Sequence, residues 1–382
     1  MMNYGHHYLD KKDFRAVLKV LSSKNLTQGK FVETFEKYLI NYFGSKYACS
    51  ISNATSGLYL LSEIYNWSKN DDIFLSPLTF LAGANSVARS NAKPNFIDIN
   101  KDNYNLDLNI LEHQIKKKKY SAKAIIATDF AGLPCDWKSL RFIANKYQCF
   151  LINDNCHALG SSYYNSRKYA AKYADCVVQS YHAVKNFTTG EGGSVLTNNK
   201  KIYEKLKSLR SHGIFKNTNL RKLKPWWYDI SVIGYNFRLT DIQAGLGISQ
   251  IKKLNIFVKR RREIAKIYDV FFKYYDDIQI PWINKNFKSS YHLYPLQINF
   301  KNFKKKKEDL FKFFWNKNIN LQVHYIPTYK FKFYKKKYNI VEKNFPNTEK
   351  FYENEISLPI FYKLKNSEIQ KISEFIMKFL KK

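Results

Sequence analysis

A chain of 382 residues with 45% hydrophobic residues has room for two domains and a large buried core. Its formal charge of +33 invites a nucleic-acid reading, yet the lysines lie in short runs (116–119, 304–307, 335–337) among Asn, Tyr, Phe and Ile without a helix-turn-helix, RRM or zinc-finger pattern, so a solvated basic surface is the better expectation and no nucleic acid is expected as partner. No apolar run nears the roughly 20 residues that span a bilayer, Met1–His7 lacks a signal-peptide core, and five singly spaced cysteines fit reduced thiols, so the expectation is a cytoplasmic protein with no membrane segment and no metal site.

The N-terminal stretch is helical with one break. Asp10–Leu21 carries apolar residues at helical spacing behind an acidic first turn, Ser22–Gly29 breaks the pattern, and Phe31–Phe43 resumes it. A strand, Tyr47–Ile51, then runs into the small-residue turn Ser52–Gly57 and a helix beginning near Leu58. Strand, turn and helix start in that order form a phosphate cradle, because free backbone N–H groups and the positive helix end converge there. Thr and Ser also cap ordinary helices.

Further strands are predicted at Asp72–Leu75, Pro94–Ile97, Ala124–Ala127, Phe150–Asn153, Val177–Tyr181 and Ser194–Leu196, with helices near 80–89, 109–117, 137–147 and 200–210. This alternation predicts an α/β fold with a mostly parallel sheet flanked by helices, and a ligand edge beyond the C-terminal strand ends. Thr55, Ser56, Phe80, Asp154, His157, Ser180 and Lys185 collect at that edge.

Lys185 stands on the turn between two of these strands, preceded by Ser180 and followed by Thr188, Thr189, Gly190, Gly192 and Gly193. An amine in a polar, glycine-walled turn can form a Schiff base with an aldehyde cofactor, of which pyridoxal phosphate is the usual one. Asp154 projects from a strand end, either as the carboxylate that keeps a pyridine nitrogen protonated or as the cap of a turn starting at Cys156. His157 by itself reads as a core histidine, and Phe80 either as core or as a ring lying against a cofactor.

Past Arg210-Ser-His-Gly213 comes a basic, aromatic loop with Pro225-Trp-Trp-Tyr228, then Gly234–Asp241, with Thr240 capping a helix over Ile242–Leu254. A long amphipathic helix, Phe257–Tyr275, leads into a small α+β unit with strand-like pieces at Tyr291–Ile298 and Leu321–His324 and helices near 305–316 and 365–380. The expected division is a large domain over 1–252, including the N-terminal helices, and a small C-terminal domain over 253–382.

Ten short motifs in order, among them Asn53-Ala-Thr-Ser, Pro77-Leu-Thr-Phe, Asp154-x-x-His-Ala-Leu-Gly, Ser180-x-x-x-x-Lys185, Asn236-Phe-Arg-Leu-Thr-Asp and His324-Tyr-x-Pro, resemble the DegT/DnrJ type of sugar aminotransferases, fold-type I pyridoxal phosphate enzymes. The resemblance covers nearly the whole chain. It implies that Lys185 binds the cofactor covalently and carries the proton, that Asp154 partners the pyridine nitrogen, and that Thr55, Ser56 and Ser180 hold the phosphate. Phe80 would stack on the ring, His157 would lie near the phenolic oxygen, and Asn236 would reach the phosphate of the neighbouring subunit of a homodimer.

Tyr4-Gly, Lys24-Asn-Leu-Thr-Gln-Gly, Pro-Trp-Trp-Tyr and Gln322-Val-His-Tyr325 look like the pseudaminic acid branch, in which glutamate aminates C4 of a UDP-linked 4-keto-6-deoxy-N-acetylhexosamine. By that resemblance Tyr4, Lys24, Asn25, Leu26, Thr27, Ala54, Ser180, Asn236, Gln322, Val323, His324 and Tyr325 would contact the sugar nucleotide. Asn153, Gln179 and Tyr181 depart from the usual residues, and are expected beside the site, where they would shift substrate preference. The alternatives are an aminotransferase for a different nucleotide-linked keto-sugar and a cofactor-binding regulator acting on DNA.

Overall fold

The computed structural model describes residues 1–215, 224–282 and 284–381. Nine strands lead to the site region: β1 (Met2–Asn3), β2 (Tyr47–Ile51), β3 (Asp72–Leu75), β4 (Lys93–Phe96), β5 (Ala122–Thr128), β6 (Phe150–Asp154), β7 (Ser162–Tyr163), β8 (Cys176–Ser180) and β9 (Gly193–Thr197). Seven of them form one sheet in the order β2-β9-β8-β6-β5-β3-β4. Every neighbouring pair is parallel except the two made by β9, which runs antiparallel to both β2 and β8.

The strands are apolar in near-continuous runs because helices cover both faces of the sheet. Period-two alternation then sorts their side chains. Leu151 and Val177 enter one core with Phe35, Trp137 and Leu159, whereas Ile152, Cys176 and Val178 enter the other with Leu58, Leu61 and Val87. Asp154 and Ser180, the last residues of β6 and β8, share the parity of this second set.

Two acids, Glu36 and Asp241, hold the large unit together. Glu36 Oε1 accepts the Ser50 N–H at 2.8 Å and Arg210 Nη1 at 2.8 Å, while the same guanidinium donates to Ser50 O at 2.6 Å. Asp241 accepts N–H groups of Gly29, Phe31 and Val32, so it caps the helix Lys30–Phe43 from more than 200 residues away. The N-terminal helix Lys11–Leu21 opens with the capping box Asp10/Asp13, the acidic turn seen in the sequence.

The chain continues through β10 (Ile214–Phe215), β11 (Asp229–Ile230), β12 (Ile278–Gln279), β13 (Phe287–Lys288), β14 (Tyr294–Ile298), β15 (Ile319–Asn320) and β16 (Glu355–Leu358). A three-stranded sheet, β12-β14-β16, packs with the helices Leu254–Phe272, Lys307–Trp315 and Asn366–Lys381 around another core. The helix Leu254–Phe272 contributes Leu254 and Val258 to the first core and Ile264, Tyr268 and Phe272 to this one. The N-terminus also belongs here: β1 pairs in parallel with β15, and Ile360 N donates to Tyr4 O at 2.8 Å. A division at 252/253 therefore leaves the first residues of the chain lying on the second unit.

Three expected elements differ. Leu321–His324 makes no strand; Gln322 forms a single bridge to Ser357, and β16, which the sequence reading lacked, supplies the strand instead. The strand expected from Tyr291 starts at Tyr294, because Tyr291 takes a positive φ of 48° that breaks extended pairing. The helix near 80–89 starts at Ala82, which leaves Phe80 in the preceding loop.

Gly193 is where β9 meets the start of the helix Ala54–Ile64. A Cβ there would stand 2.7 Å from Ala54 N, Asn53 C and Gln179 O. These are backbone atoms that cannot swing aside, so Gly193→Ala is expected to lower the urea-unfolding free energy by about 1–3 kcal/mol with the far-ultraviolet dichroism of the folded protein retained. An unchanged midpoint would show that the helix start moves freely.

Candidate active site

One cavity of about 860 Å³ opens at the C-terminal ends of β6 and β8 and is closed on the far side by the second unit. It brings together Tyr4, Ala54, Thr55, Ser56, Phe80, Asp154, His157, Ser180, Lys185, Gln322, Val323, His324 and Tyr325. Lys24, Asn25, Leu26, Thr27 and Asn236 do not line it; all five are exposed on this copy of the chain. Their segments are tied to each other's surroundings, with Thr27 bridged to Thr240 and Asn236 to Ser211.

At the helix start, Asn53 is the N-cap and its Oδ1 accepts both Ser56 N (2.8 Å) and Ser56 Oγ (2.9 Å). The first helical N–H groups, those of Ala54 and Thr55, have no intrahelical partner and sit at the positive end of the helix. Phe80 is 60% exposed with its ring 6.4 Å from that of Tyr325, so it is not a core residue.

The lysine turn is clamped by its own hydroxyls. Tyr181 O receives Thr188 Oγ1 (2.9 Å) and Thr189 N (3.0 Å), Thr189 Oγ1 donates to Glu191 O, and Gly190 takes the φ of +82° that the turn requires. Asn186 Nδ2 ties the turn to Leu159 O at 2.9 Å. Lys185 is thereby directed into the cavity, with Nζ 3.3 Å from His292 Nε2. Burial lowers the affinity of this amine for its proton, against the pull of the Cys156 and Asp154 side chains. Asp154 Oδ1 accepts Cys156 N at 3.2 Å, so the carboxylate both caps this turn and faces the cavity.

His292 was not picked out from the sequence. It lies at the end of a loop in the second unit, and its only sequence signal is a histidine inside the apolar run Tyr291–Ile298. Its carbonyl, with those of Tyr291 and Ile360, is held by the buried guanidinium of Arg261, which burial brings down to about 10. Its ring lies 4.6 Å from that of His157, which in turn meets Tyr325 Oη at 2.9 Å through Nε2. The Nδ1 atoms of both histidines are buried without a hydrogen-bond partner among the described residues.

Burial holds both imidazoles well below their ordinary value, with the charge of Lys185 pressing the same way, and His324 is pushed down to about 3 for the same two reasons. Asn153, Gln179 and Tyr181 do not line the cavity. Asn153 and Gln179 have the opposite strand parity to Asp154 and Ser180, and the three join a buried network: Asn153 Nδ2 donates to Asp129, Gln179 Nε2 to Asn155, and Tyr181 Oη to Gln179 Oε1 at 2.9 Å. Their departures from the usual residues shape the support under the sheet and not the ligand surface.

The family profile described as the DegT/DnrJ/EryC1/StrS aminotransferase family matches residues 7–377. The chain belongs to that family. It is 38% identical over 386 residues to the UDP-4-amino-4,6-dideoxy-N-acetyl-beta-L-altrosamine transaminase of Campylobacter jejuni subsp. jejuni serotype O:23/36 (strain 81-176), covering 100% of this chain and 98% of the relative. The fold superposes on the Helicobacter pylori aminotransferase PseC with a TM-score of 0.91 at 36% identity, covering 99% and 98% of the two chains. A sugar aminotransferase of Streptococcus pneumoniae, Spr1654, solved in its PLP-form, gives 0.89 at 26% identity, covering 99% and 98%. The protein is a sugar aminotransferase, and the family and the PLP-form neighbour imply pyridoxal phosphate as its cofactor.

Three neutral buried histidines in an aminotransferase cavity make its stability pH-dependent. The unfolded chain takes up these protons near pH 6.5 while the folded chain does so only at lower pH, so their contribution is complete above about 6.5 and is lost as pH falls toward about 3. Each histidine adds at most about 1.4 kcal/mol per pH unit to that slope. The raised carboxyls of Asp129, Asp269 and Glu355 act with the opposite sign, so the check is differential: in urea unfolding between pH 7.5 and 5, His292→Gln is expected to lose less stability, or gain more, on acidification than wild type, and identical slopes would mean that His292 is protonated in the folded protein.

Proposed function

We propose that this aminotransferase passes the amino group of glutamate, by way of pyridoxal phosphate, to the C4 keto group of a UDP-linked 4-keto-6-deoxy-N-acetylhexosamine. The carrying observation is that one cavity joins Lys185, Asp154 and the helix start at Ala54–Ser56 to the second-unit segment Gln322–Tyr325, in a chain alignable end to end with a UDP-sugar transaminase. The residues fit the cofactor. A helix N-terminus with free N–H groups offers a phosphate seat, and two buried ring nitrogens of His157 and His292 lack partners among the described residues.

When bound, pyridoxal phosphate supplies an electron sink beside the amino-bearing carbon. The Ala54 and Thr55 N–H groups with the hydroxyls of Thr55 and Ser180, and that of Ser56 once turned from Asn53, would hold its phosphate, Asp154 would keep a proton on its pyridine nitrogen, and Phe80 and His157 would serve its ring and its phenolic oxygen. Lys185 anchors it and afterwards carries the proton at Nζ, a task suited to an amine whose proton affinity is lowered by burial. Tyr4, Gln322, Val323, His324 and Tyr325 face the remaining part of the cavity and bind the sugar nucleotide.

The same reading makes the working form a homodimer. Lys24–Thr27 and Asn236 lie exposed outside the cavity of their own chain, as do the apolar side chains of Trp226, Tyr228, Ile230 and Ile233, and they serve the partner's cavity. Mixing Lys185→Ala with Asn236→Ala subunits, each inactive alone, is expected to restore up to about a quarter of wild-type turnover per mixed population, since one site in four regains both residues. No recovery after verified subunit exchange would count against a shared site.

Turnover is read as 2-oxoglutarate released from glutamate with a panel of UDP-linked and other nucleotide-linked keto-sugars. The 4-keto-6-deoxy-N-acetylhexosamine is expected to be consumed fastest; consumption of a different keto-sugar in its place overturns the substrate assignment. Lys185→Ala is expected to lose both turnover and borohydride-fixed cofactor, and Asp154→Asn to keep the fixed cofactor while slowing turnover by roughly a hundredfold or more.

A further inference from the structure

Behind His324 lies a chain of hydrogen bonds that the cofactor chemistry does not use. Its Nδ1 is 2.8 Å from Ser357 Oγ, Ser357 Oγ donates to Glu355 Oε1 at 2.5 Å, and Glu355 Oε2 accepts the backbone N–H of His324 at 3.1 Å. All three residues are buried, Glu355 and Ser357 completely. Both belong to β16, whose Ser357 N also donates to Gln322 O, so the cavity-lining segment is stitched to this strand by backbone and side chains together.

The order of donors fixes a tautomer. A carboxylate only accepts, so the Ser357 hydroxyl spends its single proton on Glu355 and its oxygen must accept from His324 Nδ1–H. Nε2, the other ring nitrogen of a side chain that lines the cavity, is then a bare acceptor. We propose that Glu355 and Ser357 are positioning residues that hold His324 as the Nδ1–H tautomer, so that Nε2 receives a hydrogen bond from a donor on the substrate, a sugar hydroxyl or amide N–H, and rejects acceptor oxygens at that point. The substrate half of this inference rests on the keto-sugar reading above; the tautomer half does not.

The neighbourhood of Glu355 suits the assignment. Burial pushes the carboxyl up to about 7 against the pull of Lys307, from the helix Lys307–Trp315, so the tautomer is read at pH 8.5, above that value. Glu355→Gln is the informative substitution. The His324 N–H needs an acceptor and so claims the amide oxygen, which turns the amide NH₂ toward Ser357; Ser357 must then donate to Nδ1, and the proton of His324 moves to Nε2 with the side-chain shape kept.

The test is long-range proton–nitrogen NMR on full-length protein labelled at histidine nitrogens, at pH 8.5, with the His324 signals assigned by their loss in His324→Gln. Wild type is expected to show protonated Nδ1 and bare Nε2, and Glu355→Gln the reverse. In steady state with the UDP-linked 4-keto-6-deoxy-N-acetylhexosamine, Glu355→Gln and Ser357→Ala are expected to raise KM for the sugar roughly tenfold with kcat changed less than about threefold, and Ser357→Thr to restore it. Protonated Nε2 in wild type overturns the proposal, and this reading needs no variant to fold. A tautomer switch without a KM change overturns the substrate contact. Absence of wild-type turnover on that sugar would sink the substrate reading alone, with the nitrogen shifts still deciding the tautomer.

Discussion

The structure depends on keeping an amine inside the protein. Lys185 reaches a cavity whose other buried basic groups are the imidazoles of His157, His292 and His324, with the guanidinium of Arg261 behind them. Water is a poor competitor there, so each added positive charge costs several kcal/mol unless paired. The imidazoles respond by staying neutral, Arg261 is satisfied by three carbonyls rather than by an acid, and the carboxylates of Asp154 and Glu191 line the cavity with the amine. The positive end of the helix Ala54–Ile64 opens on the same cavity. That end suits an anionic group, and the phosphate of pyridoxal phosphate is of that kind.

Backbone geometry supplies the rest. Parallel β5, β6 and β8 end at one edge, so Asp154 and Ser180 arrive there with the same parity, and antiparallel β9 brings Gly193 against the helix start without a side chain between them. The turn from β8 to β9 carries the lysine and is closed by the hydroxyls of Thr188 and Thr189. Those threonines sit in the motif for the sake of the turn. The glycines divide the same way, Gly190 serving a positive φ and Gly193 a close approach.

Much of this was legible in the sequence because it is local. Strand ends, a small-residue turn before a helix and a lysine between two apolar runs place Thr55, Ser56, Asp154, Ser180 and Lys185 on one edge before any coordinates are known. What escaped is non-local. His292, Arg261, Glu355 and Ser357 reach the site from the second unit, where short strands and positive-φ residues such as Tyr291 mask the periodicity. The strand expected at Leu321–His324 fails for a related reason: its alternation reflects side chains pinned to β16, not pairing along its own length. Asn153 and Gln179 stand next to site residues in sequence but face the other side of the sheet, since adjacent residues on a strand point opposite ways.

The cavity divides between two cores, and its chemistry divides with it. Helix start, carboxylate and lysine come from the large sheet, in which β6, β8 and β9 are each paired on both edges and whose backbone leaves no room at Gly193. The segment Gln322–Tyr325 comes from the smaller core and hangs on β16 by one bridge and a few side-chain bonds. If that segment meets the sugar, as proposed, a change in how it is held alters which sugar groups are met while leaving the amine and its carboxylate in place. On the reading proposed above, substrate preference is adjustable by buried residues such as Ser357 and Glu355, whereas the position of the Lys185 amine is fixed by the packing of the large sheet. An aminotransferase scaffold built this way can keep one reaction and vary the sugar it acts on, because the two demands fall on different strands.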